Sequence, residues 1–207
     1  MFRSTKINKI KMSRLIARLF AVLALTGSVE AARAEGWYVG ANLGTARALD
    51  VSSDIGSNVL IDDRDSSWRI FGGYHYWDIM GFELGFTDLG KTSVQSTYLG
   101  SAYSDQDEAA VIDAVIVGTM RITDSISVLG KIGLLFFDAD SKTTSGGVTS
   151  TDSASGVDYT YGLGAKYDLG KQLGLRVEWQ RFTGVGKGAA SESHYDVYSA
   201  GLVFDIK

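Results

Sequence analysis

The feature that most constrains this chain is an alternation of apolar with small or polar residues, repeated in many segments after residue 34. In residues 37–44 the odd positions are Trp, Val, Ala and Leu, and the even positions are Tyr, Gly, Asn and Gly. Successive side chains of a β-strand point to opposite faces, so this pattern predicts strands with two different faces. Similar patterns in residues 68–76, 81–89, 111–122, 126–136, 159–167, 173–179 and 198–206 bring the predicted strands to eight.

The connectors between these segments alternate in length. Long polar connectors span residues 50–67, 92–108, 138–156 and 184–193, and short ones span residues 77–80, 123–125 and 170–172. Successive connectors of an up-and-down barrel emerge at opposite ends, so all long loops fall at one end and all short turns at the other. The sequence therefore predicts an all-β fold, an eight-stranded antiparallel up-and-down transmembrane β-barrel.

The two faces of the predicted strands differ in charge and in aromatic content. The polar face carries a predicted lumen charge network of Glu83, Lys131, Lys166, Arg176 and Glu178. The apolar face carries a predicted lipid-facing aromatic girdle of Trp37, Tyr74, Phe86, Phe136, Tyr159, Tyr167, Trp179 and Phe204. Aromatic residues at both ends of an apolar band are typical of a wall that faces lipid. A soluble, lipocalin-like barrel with the faces reversed is the alternative.

The first 34 residues resemble a secretory signal peptide. A basic leader runs from Arg3 to Arg18, an apolar segment covers residues 19–25, and Ala32-Arg33-Ala34 provides a small-x-small cleavage site. We therefore expect a signal peptide over residues 1–34 and an outer-membrane β-barrel over residues 35–207, with Met1 or Met12 as the start. A membrane anchor needs roughly 20 apolar residues, whereas the uncharged run 19–29 has 11.

Charge and cysteine content exclude several kinds of function. Residues 1–34 contain 7 of the 20 Lys/Arg residues and one of the 24 Asp/Glu residues, so the rest of the chain has a net charge of −10. Such a surface repels nucleic acid, which binds to clustered Lys and Arg. The chain has no Cys, which removes disulfides and thiolate metal sites. We expect no metal and no cofactor.

Several short segments resemble the transmembrane domain of the outer membrane protein A family. They are residues 36–44 (GWYVGANLG), residues 71–74 (FGGY) with 81–86 (GFELGF) and 89–90 (LG), and residues 176–180 (RVEWQ). The resemblance extends over nearly all of residues 36–206. It implies an acid–base pair of Glu83 and Arg176 in the lumen, with Glu178 as a second acid. The chain departs from the family at Val117, where a lumen Lys is frequent, and at Lys166, where a Glu is expected.

Other candidate residues support weaker hypotheses. Ser191, Glu192, Ser193 and His194 are the residue types of a hydrolase triad, but neighbours on a strand point to opposite faces. His75 has the parity of the predicted lumen. Acidic residues in the loops have two interpretations: they form charged, solvated loop tips, or they bind lipopolysaccharide phosphates through bridging divalent cations. These residues are Asp50, Asp54, Asp62, Asp63, Asp65, Asp105, Asp107 and Glu108.

The sequence thus predicts an integral barrel of the Gram-negative cell outer membrane, with a structural or surface-interaction role in envelope integrity or adhesion and at most a narrow pore. The alternatives are a small ion-conducting channel and a lipid A-modifying barrel enzyme; we expect no enzyme activity. Expected partners are outer-membrane lipids, lipopolysaccharide, the barrel assembly machinery, and host or phage ligands at the extracellular loops.

Overall fold

The computed structural model describes residues 36–49, 57–77, 79–98, 101–145, 147–186 and 192–206, so the predicted signal peptide lies outside the described residues. Nine antiparallel strands are present in this part of the chain. They are β1 (Gly36–Ala48), β2 (Ser57–Asp62), β3 (Arg64–Trp77), β4 (Met80–Tyr98), β5 (Ser101–Arg121), β6 (Ile126–Ser145), β7 (Val148–Asp168), β8 (Leu173–Val185) and β9 (Ser193–Ile206). The part of the chain that the structure describes contains no helix long and apolar enough to cross a membrane.

The strands close into a barrel. β1 pairs with β3 on one side and with β9 on the other, and the remaining strands follow in chain order until β4 pairs with β5. β2 and β3 both pair with β4 and are separated only by Asp63, so together they form one interrupted wall strand. The wall therefore has eight strands, as predicted. Closure matters because unpaired backbone groups in hydrocarbon each cost several kcal/mol.

Burial alternates along the strands and shows which face lines the interior. On β1, Tyr38 and Asn42 point inward and are 2% and 1% exposed, whereas Leu43, which directly follows Asn42 and points outward, is 74% exposed. Outward positions on other strands are also apolar and exposed, as at Ile116, Ile132 and Leu163. The apolar stripe therefore faces outward and the polar stripe inward. This confirms the predicted barrel and contradicts the soluble alternative, in which the apolar stripe would fill the interior.

The two ends of the barrel differ. The turn end carries the short connections at residues 77–80, 122–125 and 169–172, and the hairpin end carries the others. The long loops predicted over residues 50–67, 92–108 and 138–156 are wrong. β2 and the first residues of β3 lie in the first segment, β4 and β5 run through most of the second, and β6 and β7 run through most of the third. These extensions lie beyond the apolar band; on β7 every side chain from residue 148 to residue 153 is exposed, so both faces meet water there. Without a face difference they lose the period-two signal, although their ladders still form and Ser and Thr tolerate extended backbone.

Candidate functional site in the barrel lumen

Six charged side chains form a layer across the middle of the lumen, named here the charge layer: Arg69, Glu83, Asp113, Lys131, Arg176 and Glu178. Their relative exposures run from 0% to 6%. They come from β3, β4, β5, β6 and β8, so the layer crosslinks most of the barrel wall. Three cations balance three anions, which satisfies the requirement that charges removed from water are paired.

Glu83 is the centre of the charge layer. Its Oε1 accepts a hydrogen bond from Arg69 at 2.9 Å and one from Lys131 at 3.1 Å. Its Oε2 accepts one from Arg176 at 2.8 Å and one from the Tyr38 hydroxyl at 3.1 Å. One carboxylate on β4 is thus bound by side chains from four other strands, and removing it affects all four contacts.

Glu178 and Asp113 occupy the two flanks of the layer. Glu178 forms ion pairs with Lys131 at 2.7 Å and with Arg176 at 2.6 Å, and it accepts a hydrogen bond from Asn42 at 2.9 Å. Asp113 binds both terminal nitrogens of Arg69, through Oδ1 to Nη1 and at 2.9 Å through Oδ2 to Nη2. The charge layer is therefore one continuous set of contacts from Asp113 on β5 to Glu178 on β8.

Sequence reasoning placed Glu83, Lys131, Arg176 and Glu178 in the network, and the structure brings these four together. It missed Arg69 and Asp113, which lie on the two strands with the weakest alternation. The parity signal was nevertheless present: Arg69 precedes Phe71 by two residues on β3, and Asp113 lies between Val111 and Val115 on β5, all of them buried. A charged residue within an apolar stretch, such as Asp113 within residues 109–117, can therefore be assigned to the lumen when the residues two positions before and after it also point inward.

Lys166 lies apart from the charge layer. It is 19% exposed and pairs with Asp168 at 3.2 Å and with Asp205 at 2.8 Å near the turn end. Lys166 occupies an inward position on β7, as its parity predicts. It lies opposite Arg176 on β8, and its side chain reaches away from that guanidinium. The predicted membership of Lys166 in one network with Glu83 is wrong. Val117, at the position where the resemblance implies that a lumen Lys is frequent, is buried against Val115 and Leu129.

An apolar plug fills the lumen between the charge layer and the hairpin end. Its members are 0% to 6% exposed, and they are Ala46, Ala48, Leu89, Ala109, Val111, Leu135, Phe137, Phe182, Val185, Tyr195 and Val197. Six strands contribute to it. On the other side of the charge layer, Phe71 packs with Tyr38 and Val203, and the Arg176 guanidinium lies 4.6 Å from the Phe71 ring centroid. Apolar side chains therefore cover the charge layer on both sides.

The eight predicted girdle residues all lie at outward positions and fall into two groups. Trp37, Tyr74, Tyr167 and Phe204 lie near the turn end, with the Trp37 and Tyr74 rings 5.0 Å apart. Phe86, Phe136, Tyr159 and Trp179 lie toward the hairpin end. Tyr159 and Tyr167 are eight residues apart on β7, roughly 26 Å along the strand and about 20 Å along the axis of a tilted barrel. This spacing fits an outer-membrane apolar band.

The two histidines have local structural contacts. The His75 ring stacks on Tyr38 with centroids 4.6 Å apart. His194 Nδ1 accepts a hydrogen bond from the Gly184 backbone N–H at 3.0 Å, and the Ser193 hydroxyl donates to the His194 carbonyl at 3.4 Å. The Ser193 hydroxyl therefore contacts backbone, and Ser191 lies outside the described residues.

Acidic residues at the hairpin end form local contacts. The hydrogen bond from Arg47 at 2.8 Å lowers the pKa of Asp63, and the backbone N–H of Lys91, which donates to Asp65 at 2.7 Å, lowers the pKa of Asp65. Within the described residues, no group of three or more His, Cys, Asp or Glu side chains is arranged to hold a metal ion. Asp50 and Asp54 lie outside the described residues.

Comparison with known proteins finds relatives among outer-membrane barrels. Outer membrane protein A of Shigella flexneri is 27% identical over 151 residues, which cover 72% of this chain and 42% of that protein. The chain thus spans less than half the length of the curated relatives it matches.

Two solved barrels share the fold. The attachment invasion locus protein Ail of Yersinia pestis has a TM-score of 0.54 and 13% identity, covering 84% of this chain and 100% of Ail. OprG of Pseudomonas aeruginosa has a TM-score of 0.53 and 15% identity, covering 84% and 97%. These matches confirm the fold of an eight-stranded barrel. In barrels of the outer membrane the short turns lie in the periplasm and the longer connections outside the cell, which makes the turn end periplasmic and the hairpin end extracellular. The model of the OmpA-like transmembrane domain matches residues 32–206, and the chain belongs to this family.

Proposed function

We propose that this chain acts as a sealed structural barrel that also holds two β-hairpins above the outer membrane for contacts with other surfaces. The observation that carries the proposal is the filled lumen, in which the charge layer and the apolar plug succeed one another along the axis. An eight-stranded barrel is just wide enough for side chains to fill its interior. Glu83, Asp113, Leu135 and Phe182 are each 0% exposed, which favours a sealed barrel over a channel.

The extracellular hairpins support the surface-interaction part of the proposal. β4 and β5 remain paired from Lys91 with Glu108 to Tyr98 with Ser101, and β6 and β7 remain paired as far as Ser145 with Val148. Such ladders hold exposed side chains on a rigid frame, which is favourable for contacts with other molecules. The solved complex of Ail contains a heparin analogue, sucrose octasulfate. Here the outward side chains Glu108, Asp138 and Asp140 disfavour a polyanion, so we propose partners that are not polyanionic.

Conductance across a planar lipid bilayer tests the sealed lumen. The purified chain, reconstituted without detergent, is expected to give no unitary current steps above those of a protein-free membrane in about 1 M KCl, at which the Debye length is only about 3 Å. Insertion is verified separately by resistance of the barrel to protease added outside. Steady current steps that scale with salt concentration would contradict the proposal and favour the channel alternative.

A complementation experiment tests the two roles separately. In a strain lacking this gene, the full chain is compared with a variant in which residues 142–151 are replaced by an Asn-Gly turn, which suits a two-residue hairpin between the paired Ser141 and Asp152. Both are expected to restore resistance to detergent, because the charge layer and the apolar plug lie below the deletion. Only the full chain is expected to restore attachment of the cells to surfaces. Loss of detergent resistance in the truncated variant, with normal protein levels, would show that the hairpin is part of the structural role.

A further inference from the structure

A row of outward-facing side chains crosses four neighbouring strands at the extracellular end. Arg64 on β3 lies opposite Arg47 on β1, Arg47 lies opposite Asp196 on β9, and Asp196 lies opposite Arg181 on β8. We name these four residues the arginine row. Adjacent strands are about 4.8 Å apart, so the row extends roughly 15 Å around the barrel wall.

The arginine row lies directly beyond the extracellular aromatic band. Arg181 follows Trp179 by two residues on β8, and its guanidinium carbon is 5.6 Å from the Trp179 ring centroid. Asp196 precedes the outward Tyr198 by two residues on β9, and Tyr198 lies opposite Trp179. Aromatic girdles mark the boundary between hydrocarbon and headgroups. The row is therefore at the level of the headgroups of the outer leaflet.

The guanidinium groups of the row retain access to solvent. Arg47 and Arg64 lie directly opposite one another, an unfavourable arrangement for like charges on neighbouring strands. They share Asp63, at 2.8 Å from Arg47 and 4.0 Å from Arg64, and their side chains are 49% and 66% exposed. Asp196 binds Arg181 through two hydrogen bonds of 2.7 and 2.6 Å and so fixes its orientation. The three arginines are thus paired with only two carboxylates, those of Asp63 and Asp196, which leaves one positive charge in excess.

The opposite wall of the barrel has the reverse charge at the corresponding level. Beyond the aromatic Phe86 and Phe136, the outward positions of β4, β5 and β6 include Asp88, Glu108, Asp138 and Asp140, with Lys91 and Lys142 as the cations. An anionic headgroup is therefore attracted to one side of the barrel and repelled from the other. This asymmetry is unnecessary for solubility and indicates a specific lipid contact.

We infer that Arg47, Arg64 and Arg181 bind the phosphate groups of a phosphorylated glycolipid in the outer leaflet, of the lipid A type. Guanidinium groups match phosphate oxygens with two parallel hydrogen bonds, which an ammonium does not reproduce. Trp179 and Tyr198 lie immediately below the row, where they contact the acyl chains of the same lipid. The inference depends on the position of the barrel in the membrane and is independent of whether the lumen is sealed.

Binding is measured with the full barrel in phosphatidylcholine nanodiscs, titrated with lipid A that carries two phosphates and followed by native mass spectrometry. The variant Arg47→Gln/Arg64→Gln is expected to bind about tenfold more weakly, since each arginine near a lipid surface contributes a few-fold in affinity. The matched control Lys91→Gln/Lys142→Gln removes two cations from the opposite wall and is expected to leave the affinity unchanged. Circular dichroism verifies that both variants are folded.

Three further arms distinguish the sources of binding. Dephosphorylated lipid A is expected to bind at least tenfold more weakly than lipid A, and EDTA is expected to leave binding intact. Inorganic phosphate at about 1 mM is expected not to compete, because a single ion lacks the linked second phosphate and the acyl chains of lipid A. Equal binding of the dephosphorylated lipid overturns the inference, as does an equal loss in the lysine control. Competition by inorganic phosphate would indicate a site for the free ion, and loss of binding in EDTA would indicate bridging by a divalent cation at the acidic wall; either result overturns the inference.

Discussion

Replacing Glu83 with alanine is expected to lower the free energy of unfolding by about 3–5 kcal/mol, the range for breaking a buried ion pair from one side. The carboxylate is 0% exposed and accepts hydrogen bonds from Tyr38, Arg69, Lys131 and Arg176. Its removal leaves three buried cations with two anions. Urea titration of the barrel in lipid vesicles, followed by tryptophan fluorescence, measures the change.

The matched control is Glu108→Ala, which removes the same side chain from the extracellular hairpin. The Glu108 side chain is 40% exposed and lies 3.7 Å from Lys91, so its loss is expected to cost less than about 1 kcal/mol, as for other surface ion pairs. If Glu83→Ala and Glu108→Ala lowered stability equally, the charge layer would contribute nothing as a crosslink.

A double variant isolates the pairing from the loss of side-chain volume. Arg176→Ala alone leaves Glu83 in contact with Arg69 and Lys131, so its cost is expected to be smaller than that of Glu83→Ala. The double variant Glu83→Ala/Arg176→Ala restores the balance of charge, with two cations and two anions. Its destabilisation is therefore expected to be less than the sum of the two single changes, as for residues in direct contact. A strictly additive result would show that the two side chains are independent.

The sequence predicted the barrel because its wall separates two solvents. Leu43 meets lipid and Asn42 meets the lumen, and a face difference of this kind is visible as a period of two. The same reasoning failed above the membrane, where the adjacent residues Ser150 and Thr151 point to opposite faces and are both exposed, in a strand that sequence analysis placed in a loop. Alternation reports a difference between environments and not strand pairing itself, so a hairpin with water on both faces gives no such signal.

The composition of the charge layer could be predicted only in part for a similar reason. Parity along a strand determines whether a side chain points inward, and it placed Glu83, Lys131, Arg176 and Glu178 correctly. Parity contains no information about height within the barrel or about which residues meet across it. Lys166 and Arg176 both point inward on neighbouring strands, yet Lys166 pairs with Asp205 near the periplasm and Arg176 pairs with Glu83. Since these two residues lie directly opposite one another, they are separated by the direction that each long side chain takes in the lumen, which parity does not give.

The change Gly201→Ala is expected to destabilise the barrel by about 3 kcal/mol, the upper part of the range for overpacking. Gly201 lies on β9 opposite Asn42 of β1, at the pairing of the first and last strands that closes the barrel. A Cβ at this position would overlap the backbone carbonyl oxygen of Ala41 and the side-chain oxygen of Asn42. The first of these is backbone, so relief requires the two strands to separate and their ladder to weaken.

Gly130→Ala is the matched control for this prediction, because it adds the same methyl group to another strand glycine. A Cβ at Gly130 would meet the Leu163 side chain at 3.7 Å, an ordinary contact. Since alanine restricts the unfolded chain more than glycine does, this variant is expected to be unchanged or more stable by about 0.4–1 kcal/mol. Urea midpoints in vesicles, compared with the wild type, measure both effects. If both variants shifted in the same direction by the same amount, close packing at Gly201 would have no part in closure, whereas opposite shifts would identify the β1–β9 pairing as the place where the barrel tolerates no additional atom.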